Sequence, residues 1–295
     1  MARAMTVLVT GVGGQLGGVL FRKLVADGAR VLGVASPSGP IPSFGESVRV
    51  ELADASAVTA LVRECRPRLV VHAAAISSVA GAHANEAHAQ SINVLGTACL
   101  ARATESVGGR FVFVSTDMVF DGEAAPYSES SEPRPLSAYG RSKLDGERAA
   151  LGETAALVVR LPLLYGMPAT PRPTTFASQV QALREGKPLH LFHDEFRTPL
   201  WLEDAATALL RSAESELTGI VHAGGRERWS RFDMGLLLAD ALGVTAHDVR
   251  SVSRHDVPAP EPRARDLSLD SSKYEERFGV AAGRPLRDAL RAMTF

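Results

Sequence analysis

Tyr139 and Lys143 stand four residues apart in a segment whose pattern predicts a helix over residues 137–150. A helix places two such side chains on one face, one turn apart. A free tyrosine has a pKa of about 10 and a neighbouring ammonium favours the phenolate, so the pair predicts a proton that can be used near neutral pH. Ser115 and Thr116 end the preceding predicted strand, where a hydroxyl could hold the substrate oxygen that Tyr139 protonates.

A glycine-rich turn follows the first predicted strand and opens a helix. Glycine lets the backbone approach a pyrophosphate, whose charge the N–H groups of a helix N-terminus stabilise. A tight strand–helix turn without a ligand is the alternative, but the position at the first junction of an alternating chain favours a dinucleotide. The residues predicted to bind it here are Gly11, Gly13, Gly14, Gln15, Leu16 and Gly17.

The next predicted strands complete the expected cofactor site. Where an NAD enzyme usually presents an acid to the ribose 2′-hydroxyl, the second strand is followed by Ser36 and Ser38. Hydroxyls can bind a 2′-phosphate and no carboxylate repels it, so NADP is preferred. NAD stays open because no arginine directly follows the strand. The other expected cofactor contacts are Glu51 and Leu52 near the adenine and Ala73, Ala74 and Ala75 at the sheet edge.

Strand-like and helix-like segments alternate through the first half of the chain. Strands are predicted at residues 5–10, 30–35, 48–52, 69–73, 110–115 and 155–161, and helices at 15–27, 55–64, 85–106 and 137–150. Right-handed crossovers place the helices on both faces of a parallel sheet. The predicted fold class is therefore α/β, a Rossmann-type doubly wound parallel sheet, with Asp54 capping the second helix.

Beyond Leu161 prolines are frequent and the pattern loosens. Helices are predicted at residues 174–185, 202–213, 231–242 and 285–293, with short strands at 189–192 and 219–222. We expect a dinucleotide-binding domain over residues 1–165 and a smaller substrate lobe over residues 166–295. The lobe is partly interleaved, with some elements returning to the sheet.

Composition excludes several classes of protein. The chain has 295 residues, of which 45% are hydrophobic, and a formal charge of -1, which predicts a large core and no nucleic-acid partner. Cys65 and Cys99 fit neither a disulfide framework nor a thiolate metal site, and the histidines show no metal-binding spacing, so no metal is expected. No apolar stretch approaches the roughly 20 residues of a membrane helix, and no signal-peptide pattern begins the chain. A cytoplasmic protein without a membrane partner is expected, with a homodimer left open.

Two further features receive structural interpretations. His72 ends a strand that is apolar on both faces and is interpreted as a hydrogen-bonded core histidine. Asp194 and Glu195 are adjacent, as paired catalytic carboxylates of a glycosidase could be in principle, but neighbours on a loop more often form a solvated acidic patch.

The chain resembles the extended short-chain dehydrogenase/reductase superfamily, and within it the dTDP-4-dehydrorhamnose reductase-like branch. The most specific motifs are Ser115-Thr-Asp-Met-Val-Phe-Asp-Gly122 and Tyr139-Gly-Arg-Ser-Lys-Leu-Asp-Gly-Glu147. Further matches lie at residues 93–97, 160–166 and 263–273, so the resemblance spans nearly the whole chain.

This resemblance implies NADP(H)-dependent reduction of a nucleotide-linked 4-keto sugar, with another small carbonyl substrate left open. Thr116, Tyr139 and Lys143 would form the catalytic triad, with Tyr139 and Lys143 also contacting the cofactor. It implies that Leu163 borders the nicotinamide. The implied substrate contacts are Asp117, Val119 and Arg263.

Other functions stay open at this point. Asp117 is followed by Met118, where the 4,6-dehydratases carry an acidic pair, so dehydration is disfavoured. Residues 160–166, 196–199 and 263–270 resemble the regulatory β subunit of methionine adenosyltransferase at least equally well. That subunit retains the fold and cofactor site but serves as a binding partner. The alternatives are a non-catalytic NADP-binding subunit or a sugar-nucleotide epimerase, and the intact catalytic set favours an enzyme.

Overall fold

The computed structural model describes residues 6–295. The strands are β1 (Thr6–Thr10), β2 (Arg30–Ala35), β3 (Glu46–Arg49), β4 (Leu69–His72), β5 (Arg110–Thr116), β6 (Leu157–Leu161), β7 (Leu164–Tyr165), β8 (Leu189–Phe192), β9 (Phe196–Arg197), β10 (Leu200–Trp201), β11 (Gly219–His222), β12 (Trp229–Ser230) and β13 (Val249–Val252).

The helices are α1 (Gln15–Ala26), α2 (Ala55–Cys65), α3 (Val79–Ala84), α4 (Glu86–Gln90), α5 (Thr97–Ser106), α6 (Ala138–Glu153), α7 (Thr175–Arg184), α8 (Leu202–Glu214), α9 (Arg231–Leu242), α10 (Ser272–Phe278) and α11 (Leu286–Ala292). A π-helical turn at Ser91–Gly96 joins α4 to α5, and short 3₁₀ turns lie at Asp117–Val119 and Ala246–Asp248. Within residues 6–295, no helix combines the length and the apolar character needed to cross a membrane.

Seven strands form one sheet in the order β11-β6-β5-β4-β1-β2-β3. All of its pairings are parallel. Side chains of a strand point alternately to the two faces. Val7 and Val9 therefore pack with α1 and α8 on one face, whereas Leu8 packs with α2 and α5 on the other. The predicted α/β class with a Rossmann-type sheet is confirmed.

Several predicted boundaries match the structure, including those of β2, β8, β11 and α9. The strand expected at residues 48–52 lies at Glu46–Arg49 instead, because β3 pairs with β2 and ends where β2 ends. The helix expected at residues 85–106 is interrupted by the π-helical turn. Asp54 caps α2 as predicted, accepting from the Ser56 and Ala57 nitrogens at 2.9 and 3.1 Å.

The second half of the chain contributes to two cores. β11 joins the sheet beside β6, and α8 packs against α1 on the same sheet face. A separate cluster surrounds Phe176, Leu183 and Leu237, where α7, α9 and α11 meet β8 and β13. The position of the domain boundary stays a prediction.

Candidate active site

A long cleft follows the carboxyl edge of the sheet and continues along α7, β8 and α9. Its volume is about 1160 Å³, whereas a pocket for one small molecule has roughly 300–1000 Å³. Neighbouring parallel strands end at one edge, and a crevice opens where the strand order reverses between β1 and β4. The cleft therefore has room for more than one small ligand.

The glycine-rich turn after β1 presents open backbone to this cleft. Gly11 has a φ of +76°, and a Cβ on Gly17 would lie 2.2 Å from the carbonyl oxygen of Gly11. Gly14 is the N-cap of α1 and offers no side-chain cap, so the N–H groups of the first turn are available to an anion. The six residues predicted to hold a pyrophosphate all line the cleft: Gly11, Gly13, Gly14, Gln15, Leu16 and Gly17.

The other residues predicted for the cofactor line the same part of the cleft. They are Ser36, Glu51, Leu52, Ala73, Ala74, Ala75 and, towards the catalytic residues, Leu163. We call the part lined by residues 11, 13–17, 36–40, 51–52 and 73–75 the glycine half. The structure brings these residues together, and their contacts with a cofactor stay a prediction.

His72 lies beneath the glycine-rich turn and is fully buried. Its Nδ1 is 2.7 Å from the Thr10 hydroxyl and its Nε2 is 3.0 Å from the Thr97 hydroxyl. Burial, with a smaller contribution from Lys143, lowers the pKa of His72 to about 3. The interpretation as a hydrogen-bonded core histidine is confirmed, and the neutral ring ties β1 and β4 to α5.

Arg49 is a candidate cofactor residue that sequence reasoning missed. Its Nη1 donates to the carbonyl oxygens of Ser36, Pro37 and Gly39 at 3.1, 2.8 and 2.6 Å. Parallel pairing sets Arg49 opposite Ala35 at the end of β2. The sequence has no arginine directly after β2, whereas the structure brings Arg49 from the next strand against the loop that follows β2.

Thr116, Tyr139 and Lys143 lie together in the cleft. Thr116 ends β5, and the other two are one turn apart in α6. A Cβ on Gly140 would lie 2.2 Å from the carbonyl oxygen of Met118. Glycine therefore lets α6 approach the loop after β5, which brings Tyr139 close to Thr116.

Burial controls the titration of Tyr139 and Lys143. Burial raises the pKa of Tyr139 to about 12. The hydrogen bond with Thr116 lowers this pKa, and the negative charge of Asp117 raises it further. Burial lowers the pKa of Lys143 to about 7, against the charge of Glu147. The expectation that Lys143 brings the tyrosine proton near neutrality is wrong for this structure, because burial dominates both groups. Tyr139 is a protonated phenol at neutral pH.

A buried ion pair supports the catalytic residues. Glu147, one turn beyond Lys143, accepts from Arg160 Nε and Nη2 at 2.9 and 2.6 Å. The Ser115 hydroxyl donates to the same carboxylate, and Arg160 Nη1 is 3.4 Å from His222 Nε2. Breaking a buried ion pair is strongly destabilising. The pair therefore holds α6 against the ends of β5 and β6.

The other part of the cleft is lined by arginines from separate elements, and we call it the arginine half. Arg197 Nε is 3.4 Å from Asp117 Oδ2, and Arg263 Nη1 is 3.6 Å from Glu195 Oε1. Burial raises the pKa of Asp117 to about 6, against the opposing charge of Arg197. The arginines of this half are Arg172, Arg197, Arg231 and Arg263.

These arginines outnumber the carboxylates of Asp117, Glu195 and Glu261 that line the same half. Burial, and the neighbouring charge of Arg197, lower the pKa of Arg231 to about 10, so its guanidinium stays charged at neutral pH. One guanidinium group can donate two parallel hydrogen bonds to the oxygens of one phosphate. The arginine half is therefore suited to an anionic ligand such as a diphosphate.

Two expectations about this half are wrong, while Asp117 and Arg263 do line the cleft. Val119 is fully buried and packs against Leu267, because the 3₁₀ turn after Thr116 directs it into the core. Glu195 is 7% exposed rather than solvated, because Arg263 balances its charge. Sequence reasoning also missed Arg197, which the motif at residues 196–199 contains, and Arg231, which lies outside that motif.

Fold and site together define a Rossmann-type nucleotide-binding protein with a Thr-Tyr-Lys set at the end of its sheet. Residues 5–294 match the family described as RmlD substrate binding domain. The chain belongs to this dTDP-4-dehydrorhamnose reductase-like family, as the motifs predicted.

Individual relatives carry two different names. The chain is 32% identical over 293 residues to methionine adenosyltransferase 2 subunit beta of Xenopus tropicalis, covering 96% of this chain and 85% of the relative. It is 32% identical over 292 residues to dTDP-4-dehydrorhamnose reductase of Mycobacterium tuberculosis, covering 97% and 90%. The crystal structure of dTDP-4-dehydrorhamnose reductase from Bacillus anthracis in complex with NADP shares the fold, with a TM-score of 0.87, 22% identity and 98% coverage of both chains.

Proposed function

We propose that this chain is an NADP(H)-dependent oxidoreductase of the short-chain dehydrogenase/reductase type that reduces a nucleotide-linked 4-keto sugar. One observation carries the proposal: Thr116, Tyr139 and Lys143 line one cleft together with the glycine half and the arginine half. A dinucleotide in the first half and an anionic sugar nucleotide in the second would meet at these residues. Such proximity supplies much of the rate of a two-substrate reaction.

Tyr139 is the proton donor in this proposal, because its raised pKa keeps the phenol protonated. The Thr116 hydroxyl accepts from the Met118 nitrogen at 3.2 Å and donates to Asp117 Oδ1 at 3.1 Å; it turns to the substrate carbonyl oxygen on binding. The Lys143 ammonium stabilises the tyrosinate that remains and holds the cofactor ribose. NADPH, when bound, supplies the hydride that adds to the carbonyl carbon.

The glycine half supports NADP as the cofactor. The uncapped first turn of α1 suits the pyrophosphate, and Ser36, Ser38 and Arg49 suit a 2′-phosphate. Titration with NADPH and NADH, followed by nicotinamide fluorescence, tests the preference. We expect NADPH to bind about tenfold more tightly, and Arg49→Ala to remove most of that difference. Arg148→Ala, on the exposed face of α6 beside Asp145, is the control, and tighter binding of NADH would refute the preference.

A non-catalytic regulatory subunit is the second candidate, favoured by the 32% identity to methionine adenosyltransferase 2 subunit beta. A scaffold needs the glycine half to hold its cofactor but has no use for a proton donor. The intact Thr116, Tyr139 and Lys143 set therefore favours an enzyme. We propose a cytoplasmic location for either candidate, and the free thiols of Cys65 and Cys99 support it.

A panel of dTDP- and UDP-linked 4-keto sugars distinguishes the two candidates. We expect NADPH oxidation with at least one member of the panel, and a product that carries a hydroxyl in place of the keto group, identified by mass spectrometry. Absence of turnover across the panel, together with stoichiometric capture of one partner protein, would replace the reductase with the regulatory subunit.

A further inference from the structure

Residues 259–264, which we call the strap, line the cleft between β13 and the N-terminal end of α6. Two residues of the strap are prolines, Pro260 and Pro262, and Pro258 directly precedes it. Proline fixes φ, so such a segment is stiff. At its end Ala264 packs in the core against Leu267. A displacement at one residue of the strap is therefore transmitted to the next residues.

Glu261 attaches the strap to the catalytic helix. Its side chain is 7% exposed, and Oε1 accepts a hydrogen bond from the Ala138 nitrogen at 2.7 Å. Ala138 is the first residue of α6 and directly precedes Tyr139.

The first turn of α6 does not supply this acceptor itself. N–H groups of a first turn have no partner within their helix. The Ser137 hydroxyl accepts a hydrogen bond from the Gly140 nitrogen at 3.1 Å, and the turn contains no acidic residue. Glu261 therefore provides, from a distant segment, both the acceptor for Ala138 and the negative charge that stabilises a helix N-terminus.

The same carboxylate lies in a cluster of charged groups. Glu261 Oε1 is 3.4 Å from Arg141 Nη2 and 3.7 Å from His83 Nδ1, and Arg141 Nη2 is also 3.4 Å from Glu86 Oε1. Ligand atoms of His83, Glu86 and Glu261 lie within 4.8 Å of one another, as in a metal site. Arg141 already balances both carboxylates, so the cluster is better explained as an attachment of the strap to α3, α4 and α6.

Two residues farther along the strap, Arg263 lies in the arginine half. Its guanidinium is 4.7 Å from the ring centroid of Phe192 and 3.6 Å from Glu195. Its carbonyl oxygen accepts from Arg254 Nη1 at 2.9 Å. One stiff segment thus contacts the catalytic helix through Glu261 and the arginine half through Arg263.

We propose that Glu261 is a positioning residue that holds the turn of α6 carrying Tyr139 and couples that turn to an anionic ligand at Arg263. A ligand that orders Arg263 also orders the strap, and through Glu261 it steadies the Ala138–Tyr139 turn. The effect on turnover rests on the proposed function. The hydrogen bond to Ala138 does not, and it is measured without any substrate.

Hydrogen exchange at the Ala138 amide of the whole protein, followed by NMR with and without dTDP, tests the contact. Glu261→Ala is expected to speed exchange about tenfold, whereas Glu261→Gln, whose side-chain oxygen still accepts, stays within about threefold of wild type. Glu86→Ala removes the other carboxylate beside Arg141 and is expected to change nothing at Ala138. We expect dTDP to slow exchange in the wild type and not in Glu261→Ala.

Glu261→Asp is a second variant in case the alanine variant folds poorly, because its shorter side chain withdraws the acceptor from Ala138 and keeps the charge. It is expected to exchange as fast as Glu261→Ala. The proposal is overturned if the Ala138 amide exchanges at the wild-type rate in both Glu261→Ala and Glu261→Asp. It is also overturned if dTDP changes this rate equally in the wild type and the variants.

Kinetics give the second readout. Glu261→Ala is expected to lower kcat about tenfold while the Kd of NADPH is unchanged, and Glu261→Gln is expected to restore kcat. If the wild type is active and Glu261→Ala has the same kcat, the coupling to Tyr139 is refuted. A wild type that reduces none of the sugars would refute the reductase, and the exchange data would still decide the role of Glu261.

Discussion

The two halves of the cleft are built from different parts of the peptide. The glycine half is centred on backbone: its glycine-rich turn and the first turn of α1 come from one continuous stretch, which the ends of other strands border at residues 36–40, 51–52 and 73–75. The arginine half is made of side chains from separate segments, with Asp117 after β5, Arg197 in β9, Arg231 at the start of α9 and Arg263 in the strap.

This difference determines how each half responds to change. Backbone recognition depends on local conformation, so an added methyl group is enough to disturb it. A constellation of charged side chains depends on charge balance, so a neutral residue of similar size is the appropriate change there. The catalytic residues lie where the halves meet, and substitutions there are expected to affect the chemical step.

The largest effect is expected where the halves meet. Tyr139→Phe removes the proton donor but keeps the ring that packs against Ala82 and Ala138. We expect kcat to fall about 1000-fold, within the range of general acid catalysis, and the Kd of NADPH to change less than about threefold. Steady-state NADPH oxidation and a fluorescence titration measure the two quantities. Unchanged turnover would refute the assignment of Tyr139 as the donor.

A steric change tests the glycine half. In Gly17→Ala the new Cβ would lie 2.2 Å from the Gly11 carbonyl oxygen, so the turn must shift. We expect the Kd of NADPH to rise about 100-fold and that of dTDP to stay the same. Gly152→Ala is the matched control, because a Cβ there meets nothing within 4 Å. Equal NADPH binding by the two variants would contradict a backbone-made site.

A charge change tests the arginine half. Arg231→Met keeps much of the side-chain volume and removes the guanidinium. We expect the KM for the sugar nucleotide to rise about 20-fold with a smaller change in kcat and no change in the Kd of NADPH. Arg287→Met, at an exposed pair with Asp240, is the control. An effect on NADPH instead of the sugar nucleotide would show that the two halves are wrongly divided.

The smallest effect is a pH dependence. The pKa of Lys143 is about 7 against an ordinary 10.5, because burial disfavours the ammonium. If the ammonium holds the ribose, kcat/KM for reduction falls as pH rises through about 7, to about a quarter of its plateau at pH 7.5. The pKa of Tyr139, about 12, keeps its proton available throughout. Lys143→Arg, which stays charged, is expected to abolish the decline.

The lowered pKa of Lys143 also affects the stability of the fold. This effect increases with pH, whereas kcat/KM decreases. Between about pH 7 and about pH 10.5 the unfolded chain holds a proton on Lys143 that the folded protein has lost. The contribution of this group to the free energy of unfolding therefore increases with pH over that range. Urea unfolding of the wild type and Lys143→Met across that range measures it, and equal pH slopes for the two proteins would contradict the lowered pKa.

The sheet was predictable because its strands are buried on both faces and appear as short apolar runs. The predicted position of β3 is too far towards the C-terminus. β3 is an edge strand with Glu46 and Arg49 exposed, and apolar residues continue beyond its end, so the apolar pattern does not mark its bounds. The interruption of the long helix had no signal in the periodicity. It lies at Asn93, whose side chain accepts from the Ile76 nitrogen at 2.8 Å and donates to the Ser142 hydroxyl at 2.9 Å.

The sequence by itself determined the features that depend on neighbouring residues. The glycine-rich turn and the four-residue spacing of Tyr139 and Lys143 express backbone conformation and helix geometry, which act over a few residues. Tertiary structure alone decided which distant groups meet: Arg49 with Ser36, Arg197 with Asp117, and Glu261 with Ala138. It also decided the pKa values of Tyr139 and Lys143, because the desolvation that shifts them depends on every element packed around α6.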